Sequence, residues 1–430
     1  MIPATQAMGG QLIERRLSNG LRVVLLSQPG ATTVAVHTWL DTGSASEKPH
    51  ATGVAHLLEH LMFKGTKTRP AGRLDAFLES HGASANAATW MDWTVFHQVV
   101  LPEQVTEVLA FEADRLVGLA WHEAEFQAEL EVVRNERREQ VDDQPDGRSS
   151  ELLYALAYGQ APYGHPTIGH AADLRAMKMR TVQAHYRAHY APNRATIVLV
   201  GAVSPSMLDT VERAYGHLKP SAGAPKPARV ALPQLSGQRA TVMTEGEVDR
   251  VHIGWRTVSV EHADHAPLTV LVEILANADS TRLTDGLTRQ GKLASSVSME
   301  QTMTRREGMA ELQIEALPGI DAAKVADAVD ALITRLLDSQ PVTTEEVEAA
   351  QRRLLLRHYE TLATADGCAE LLGLFAVIGG GAQQAERWMK SVEAVTAQDV
   401  QRTAKRWLTR QHQVTVLARA RKRVQMQGRR

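Results

Sequence analysis

A proline-rich break near the middle of the chain limits what it can fold into more than any other feature. Between Leu218 and Gln238 the sequence runs Lys219-Pro220-Ser221-Ala222-Gly223-Ala224-Pro225-Lys226-Pro227, followed by Pro233 and Gly237. Proline lacks the backbone donor that a helix interior or a central strand requires, so four of them in this stretch exclude both. The stretch reads as a linker, residues 219–238, between a first domain of residues 1–218 and a second of residues 239–430. A chain of 430 residues is long enough for two large domains.

The two halves share a rhythm. Strand-like runs open each of them: Leu21 to Leu26 and Val34 to Leu40 in the first, Ala240 to Met243 and Val251 to Trp255 in the second. An amphipathic helix followed by a strand closes each of them: Thr181 to Tyr190 before Ala195 to Val200, and Ala397 to Leu408 before Val414 to Leu417. This repetition predicts an α+β fold made by tandem duplication. Composition narrows the class further. With 44% hydrophobic and 22% charged residues the chain is neither disordered nor collagen-like. Its net charge of -2 gives no basic field for nucleic acid. The lone Cys368 cannot form an intramolecular disulfide. No run of about 18 apolar residues is present, so no membrane span is expected. The N-terminus shows neither a basic n-region nor an apolar h-region. A soluble protein is expected, cytoplasmic as the sequence stands and periplasmic if a signal peptide was removed.

The chemistry concentrates in Gly53-Val54-Ala55-His56-Leu57-Leu58-Glu59-His60-Leu61-Met62-Phe63. These are helix formers, with Pro49 and Gly53 marking the start. On a helix His56 and His60 lie one turn apart on one side, with Glu59 beside them. Two imidazoles at that spacing can bind one zinc ion, and the carboxylate can serve a metal-bound water. The pattern H-x-x-E-H is the inverted form of the zincin signature. Its bland alternative is an amphipathic helix with two ordinary histidines. A catalytic zinc needs a third protein ligand, for which Glu123 to Val141 is the candidate stretch. There Phe126, Leu130 and Val133 form an apolar stripe, and Glu129 and Glu136 lie two turns apart on another side. Glu131 and Glu139 read as solvated. Spacing alone does not choose among these four glutamates.

These residues resemble the family of pitrilysin, insulysin and mitochondrial processing peptidase, in its half-size form with two repeated domains. The similar pieces are H-x-x-E-H itself, Gly43-Ser44, Phe63-Lys64-Gly65-Thr66, Asn86-Ala87 with Thr89, Tyr163-Gly164-His165-Pro166 and Pro192-Asn193. The likeness spans the chain, strongly to about residue 203 and loosely beyond. It implies two homologous α+β domains, each a mainly antiparallel sheet packed with helices. It also implies one Zn2+ per chain and a zinc metalloendopeptidase acting on peptides or unfolded segments in an enclosed chamber. In that family the metal glutamate lies 76 residues beyond the second histidine, which here is Glu136. His56, His60 and Glu136 are then the implied zinc ligands, and Glu59 the general base and acid. Glu129 is implied to orient a ligand histidine. Asn86 and Ala87 would lie on an edge strand that pairs with the substrate backbone.

One part of the family pattern is missing. Members carry an arginine and a tyrosine, seven residues apart, after the linker, and these stabilise the oxyanion. Alignment on Leu293-Ala294-Ser295-Ser296-Val297 puts the tyrosine position at Ser295 and the arginine position at Thr288. A one-residue slip would offer Arg289, but no tyrosine lies between residues 216 and 358. The expectation is a heterodimer whose homologous partner lacks H-x-x-E-H and carries the Arg/Tyr pair, with a homodimer as the alternative. A rival of another class is a non-catalytic scaffold, which the intact motif opposes. A third is a zinc-dependent binding module, which would keep metal without turnover through Glu59. Elsewhere, His262-Ala263-Asp264-His265 reads as a loop, Gly379-Gly380-Gly381 as a helix end and Cys368 as packing. The basic run Arg419 to Arg423 reads as a solvated tail.

Overall fold

The computed structural model describes residues 10–222 and 230–421. The middle of the linker, residues 223–229, and the basic residues Lys422 and Arg423 lie outside the described residues. Around that gap, Pro220 and Pro233 belong to neither helix nor strand, as residues without a backbone donor should.

Two sheets are formed. The first contains β1 (Gln11–Arg16), β2 (Arg22–Ser27), β3 (Val34–Leu40), β4 (Ala85–Thr89), β5 (Thr94–Val100) and β6 (Ala195–Gly201), in the order β1-β2-β6-β3-β5-β4. The second contains β7 (Gln238–Glu245), β8 (Arg250–Arg256), β9 (Ala294–Gln301), β10 (Met309–Ala316) and β11 (Gln413–Arg421), in the order β7-β11-β8-β10-β9. β2 pairs parallel with β6, and β7 parallel with β11. Every other pairing is antiparallel. Apart from the extra strand β1, the two orders match strand for strand, as a duplication requires. β3 and β6 are buried along their whole length, so they carry apolar residues on both faces and lack clean alternation.

By contacts the chain divides into two compact units, and neither is continuous in sequence. One takes in residues up to Asn135, then His165 to the linker, then Leu356–Trp388. The other takes in Glu136–Gly164, the linker to Leu355, and Met389 onward. Each unit therefore includes a helix from the opposite half of the chain.

In the first unit the helix Ala365–Ile378 packs on β3 and β6. Gly373 makes this possible: a Cβ there would stand 2.0 Å from Trp39 Nε1. Arg22 adds a hydrogen bond to the Ala376 carbonyl. In the second unit the helix Pro145–Tyr158 packs on β8 and β11.

Both helices are attached in the same way. Asp366, second in its helix, accepts from Nε2 of the buried His37 on β3 at 2.8 Å. Asp146, second in its helix, accepts from Nε2 of the buried His252 on β8 at 3.0 Å.

No single helix among the described residues is long and apolar enough to cross a membrane. Thr344–Leu362 and Ala365–Ile378 pass such a test only jointly and are bent by 111°. The second of them has most of its apolar side chains buried.

The His37 pair makes a testable prediction. A hydrogen bond from His37, followed by one from His97, holds the Asp366 carboxyl well below the usual carboxylate range. A carboxyl depressed on folding stabilises above its unfolded pKa of about 3.9, and that stabilisation is lost as pH falls through the folded value. Asp366→Ala strands a buried N–H and should cost about 1–3 kcal/mol at pH 7 in urea unfolding. Its difference from the parent should shrink below about pH 4.

Candidate metal centre

The motif residues form the helix Val54–Leu61. Val54, Ala55, Leu57, Leu58 and Leu61 are buried, and His56, Glu59 and His60 share the half-buried face. The helix packs on the helix Met179–His189 and on β4. Its start is unusual. Gly53 has φ 85°, where a Cβ would also stand 2.5 Å from the Ile168 carbonyl oxygen, so only glycine fits. No side chain at that position can satisfy the free N–H groups of the first turn. Glu47 does so from six residues upstream, accepting from Gly53 N at 2.9 Å and Ala55 N at 2.8 Å. Its carboxyl is fully enclosed, and burial raises its pKa well above the ordinary value. Thr52 is fixed in turn by Asp173, whose Oδ2 accepts from its hydroxyl at 2.6 Å.

Glu123–Arg137 forms a second helix, continued by a π-helical turn at Arg138–Asp142. Phe126, Leu130 and Val133 are buried. The boundary between the two compact units falls between residues 135 and 136, inside this continuous helix. Glu136 is therefore carried by a helix rooted in the first unit.

One ligand atom each from His56, His60 and Glu136 lies within 4.8 Å of the other two, and all three side chains are half-buried. The imidazole rings of His56 and His60 meet edge to face, with centroids 4.8 Å apart. Two imidazole nitrogens and a carboxylate are the donor set of a catalytic zinc site with a position to spare, so the residues fit that metal. Glu136 accepts from Gln140 Nε2 at 3.0 Å.

Glu129 is placed differently. It bridges His60 Nδ1 at 3.3 Å and Lys64 Nζ at 2.8 Å. A proton on Nδ1 is thereby directed to the carboxylate, leaving Nε2 as the unprotonated nitrogen. Glu131 and Glu139 are exposed. Glu59 accepts from Thr89 Oγ1. Asn86 and Ala87 lie on β4, the outermost strand of the sheet, with Asn86 exposed.

Other candidates resolve into structural roles. Among the described residues one further group, His37, His97 and Asp366, has metal-ligand spacing. Nδ1 of His37 is buried without a partner. Its ring proton therefore sits on Nε2 and goes to Asp366, on the nitrogen a metal would need.

His262-Ala263-Asp264-His265 is occupied likewise. Asp264 accepts from Arg402 at 2.7 Å, Trp407 at 3.0 Å and Arg406 at 3.1 Å. Burial lowers the pKa of His265 to about 4. Gly379 ends the helix Ala365–Ile378, and Cys368 is buried within it. Arg419 and Arg421 belong to strand β11.

In the second unit Ser295 lies on β9, and its hydroxyl donates to Glu315 at 2.9 Å. Thr288 bonds within its own turn, its hydroxyl donating to the Thr284 carbonyl at 2.6 Å. Arg289 is held by Asp285 at 2.6 Å and the Asp279 carbonyl at 2.8 Å.

Sequence reasoning did not identify Glu47 or Asp173 as functional, nor the bond from Thr89 to Glu59. The local pattern carries no signal for them, because each acts across a loop or a long separation.

Two family models match the chain: insulinase (peptidase family M16) over residues 22–171, and peptidase M16 inactive domain over residues 178–354. An uncharacterized zinc protease of Bacillus subtilis is 29% identical over 291 residues, covering 68% of this chain and 70% of that protein. A probable mitochondrial-processing peptidase subunit beta of Schizosaccharomyces pombe is 27% identical over 406 residues, covering 90% and 87%. The crystal structure of a protease from Helicobacter pylori has a TM-score of 0.91 at 24% identity, covering 95% of this chain and 99% of that one. At that identity the likeness is one of fold.

The cap on the motif helix predicts a remote effect. Glu47→Ala removes both hydrogen bonds at the helix start and should destabilise the chain by about 1–3 kcal/mol in urea unfolding. It should also weaken zinc binding in a competitive chelator titration, although Glu47 is not among the clustered donors.

Proposed function

The chain belongs to the insulinase family, peptidase family M16, and is a zinc metallopeptidase; from that premise we propose that His56, His60 and Glu136 hold its zinc and that Glu59 is its general base and acid. The observation that carries this reading is the three-donor cluster with the Glu59 carboxylate on the same helix face. Bound zinc would supply a Lewis acid that polarises the scissile carbonyl and brings the pKa of a water to about 7.

The chain's own residues do the rest. Glu59 takes the proton of the attacking water and returns it to the leaving amine. Glu129 accepts from His60 Nδ1 and keeps that imidazole in the tautomer whose Nε2 can bind metal. Thr89 holds Glu59 through its hydroxyl. Along β4, at Asn86 and Ala87, an extended peptide can add as a further strand by main-chain hydrogen bonds. That mode of binding demands an unpaired backbone, which favours peptides and unfolded segments as substrates, and we propose endopeptidase cleavage as the reaction.

We further propose that the protein works as the catalytic subunit of a heterodimer, which encloses the site in a chamber. Ser295 and Thr288 stand where relatives of this type need oxyanion donors, and Arg289 is bound to its own helix and loop. Relatives such as the Schizosaccharomyces pombe protein are named as subunits. A homologous partner with the Arg/Tyr pair and without H-x-x-E-H would complete the site.

Two experiments test this. Glu59→Gln should keep one zinc per chain while turnover falls at least about a hundredfold; near-parental turnover would falsify the assignment. The purified chain alone should cleave peptides about a hundred- to a thousandfold more slowly than when mixed with its partner. Replacing the partner's tyrosine should remove the gain. Full activity of the chain alone, unchanged by any homologue, would leave the homodimer or monomer as the working form.

A further inference from the structure

Strand β4 joins two functions on one short piece of backbone. It has one neighbour in the sheet, β5, with Thr89 opposite Thr94. Ala85, Ala87 and Thr89 are half-buried, and Asn86 and Ala88 are exposed. The motif helix packs on this strand, where Thr89 Oγ1 donates to Glu59 Oε2. The direction of that bond is set by the carboxylate, which can only accept. Thr94 Oγ1 donates to the Thr42 carbonyl at 3.1 Å and lies 3.3 Å from Thr89 Oγ1. With its proton committed to Thr42, Thr94 does not donate to Thr89. The single Thr89 proton is directed at Glu59, so the carboxylate is held as an acceptor.

We infer that Thr89 is a positioning residue that ties Glu59 to the substrate-binding strand, so that an extended peptide seated on β4 steadies the general base. The inference rests on the roles proposed above for Glu59 and β4. An edge strand with one neighbour is the least restrained strand of its sheet. A peptide added to its outer side gives it a second hydrogen-bonded neighbour. Thr89 is three residues from Asn86 on the same strand, so any restraint on the backbone reaches its hydroxyl. Binding energy gained along the peptide is then used to orient the reacting groups, which raises kcat rather than merely lowering KM.

The test uses the full-length chain in its most active assembly and a series of synthetic peptides of increasing length. Peptides long enough to run along β4 should show higher kcat than short ones. Thr89→Val keeps the side-chain shape and removes the donor. It should lower kcat on long peptides about ten- to a hundredfold, with KM changed less than about twofold. Thr89→Ser, which keeps the hydroxyl, should restore most of that loss.

Zinc content should stay at one per chain in all variants. In a Glu59→Gln background, Thr89→Val should leave the Kd for a long peptide unchanged, because the hydroxyl acts on the base and not on the peptide. The inference is overturned if Thr89→Val raises KM at constant kcat, if Ser is no better than Val, or if short and long peptides lose equally. Undiminished turnover by Glu59→Gln alone would instead overturn the reading on which the inference depends.

Discussion

Much of this architecture depends on one exchange: each compact unit packs its sheet with a helix from the other half of the chain. The central strands β3 and β6 are buried throughout and need cover on both faces. Ala365–Ile378 supplies one of those faces, although it lies more than 160 residues beyond β6 in the sequence. Pro145–Tyr158 does the same for β8 and β11. In both places the attachment is an aspartate in the first helical turn meeting a buried histidine on the sheet. A carboxylate there also lies favourably in the field of the helix N-terminus. The two histidines titrate differently. Burial dominates at His37 and lowers its pKa; at His252 burial is again the largest single influence, but the hydrogen bonds it donates to Asp146 and Glu311, with the charges of both carboxylates, together outweigh it and raise the pKa.

The duplicated plan makes the division of labour visible. In the first half the helix after β3 carries His56, Glu59 and His60 on a half-buried face. In the second half the helix after β8, His265–Leu275, is buried along nearly all its length. A helix enclosed on all sides has no face to offer a metal and a water, so it serves as core. The edge strands differ in the same sense. β4 brings Thr89 to Glu59, whereas Ser295 of β9 hydrogen-bonds to its own sheet neighbour Glu315. The cluster of His56, His60 and Glu136 therefore lies in one half of a repeated fold, and the matching helix of the other half is core.

Around the donor cluster, the carboxylates differ by what surrounds them. Glu136 stands with the two histidines, and Glu129, two turns earlier on the same helix, stands behind His60 against Lys64. Glu47, fully enclosed, caps the motif helix instead of facing the cluster. In the assignment proposed above, four acidic side chains of one chemical type would thus serve as metal donor, orienting acceptor, cap and base, the last being Glu59. Neighbours, not residue identity, distinguish them.

Local features are legible in the order of the amino acids. Helical periodicity puts His56, Glu59 and His60 on one face, because residues three and four apart always share a side. Proline chemistry ruled out regular structure at Pro220 and Pro233, and strand-like runs announced β2, β3, β6, β8 and β11. The repeated rhythm pointed to duplication. Resemblance, not spacing, singled out Glu136 and Glu129 from Glu131 and Glu139. Relations between distant residues emerge only on folding: the exchange of Ala365–Ile378 and Pro145–Tyr158, the capping of the motif helix by Glu47, the fixing of Thr52 by Asp173 and the bond from Thr89 to Glu59. A periodic pattern reports which face of an element is apolar and is silent on which surface will cover it. That choice is made by packing and by the pairing of buried polar groups across tens to hundreds of residues, and these contacts exist only once the chain has closed on itself.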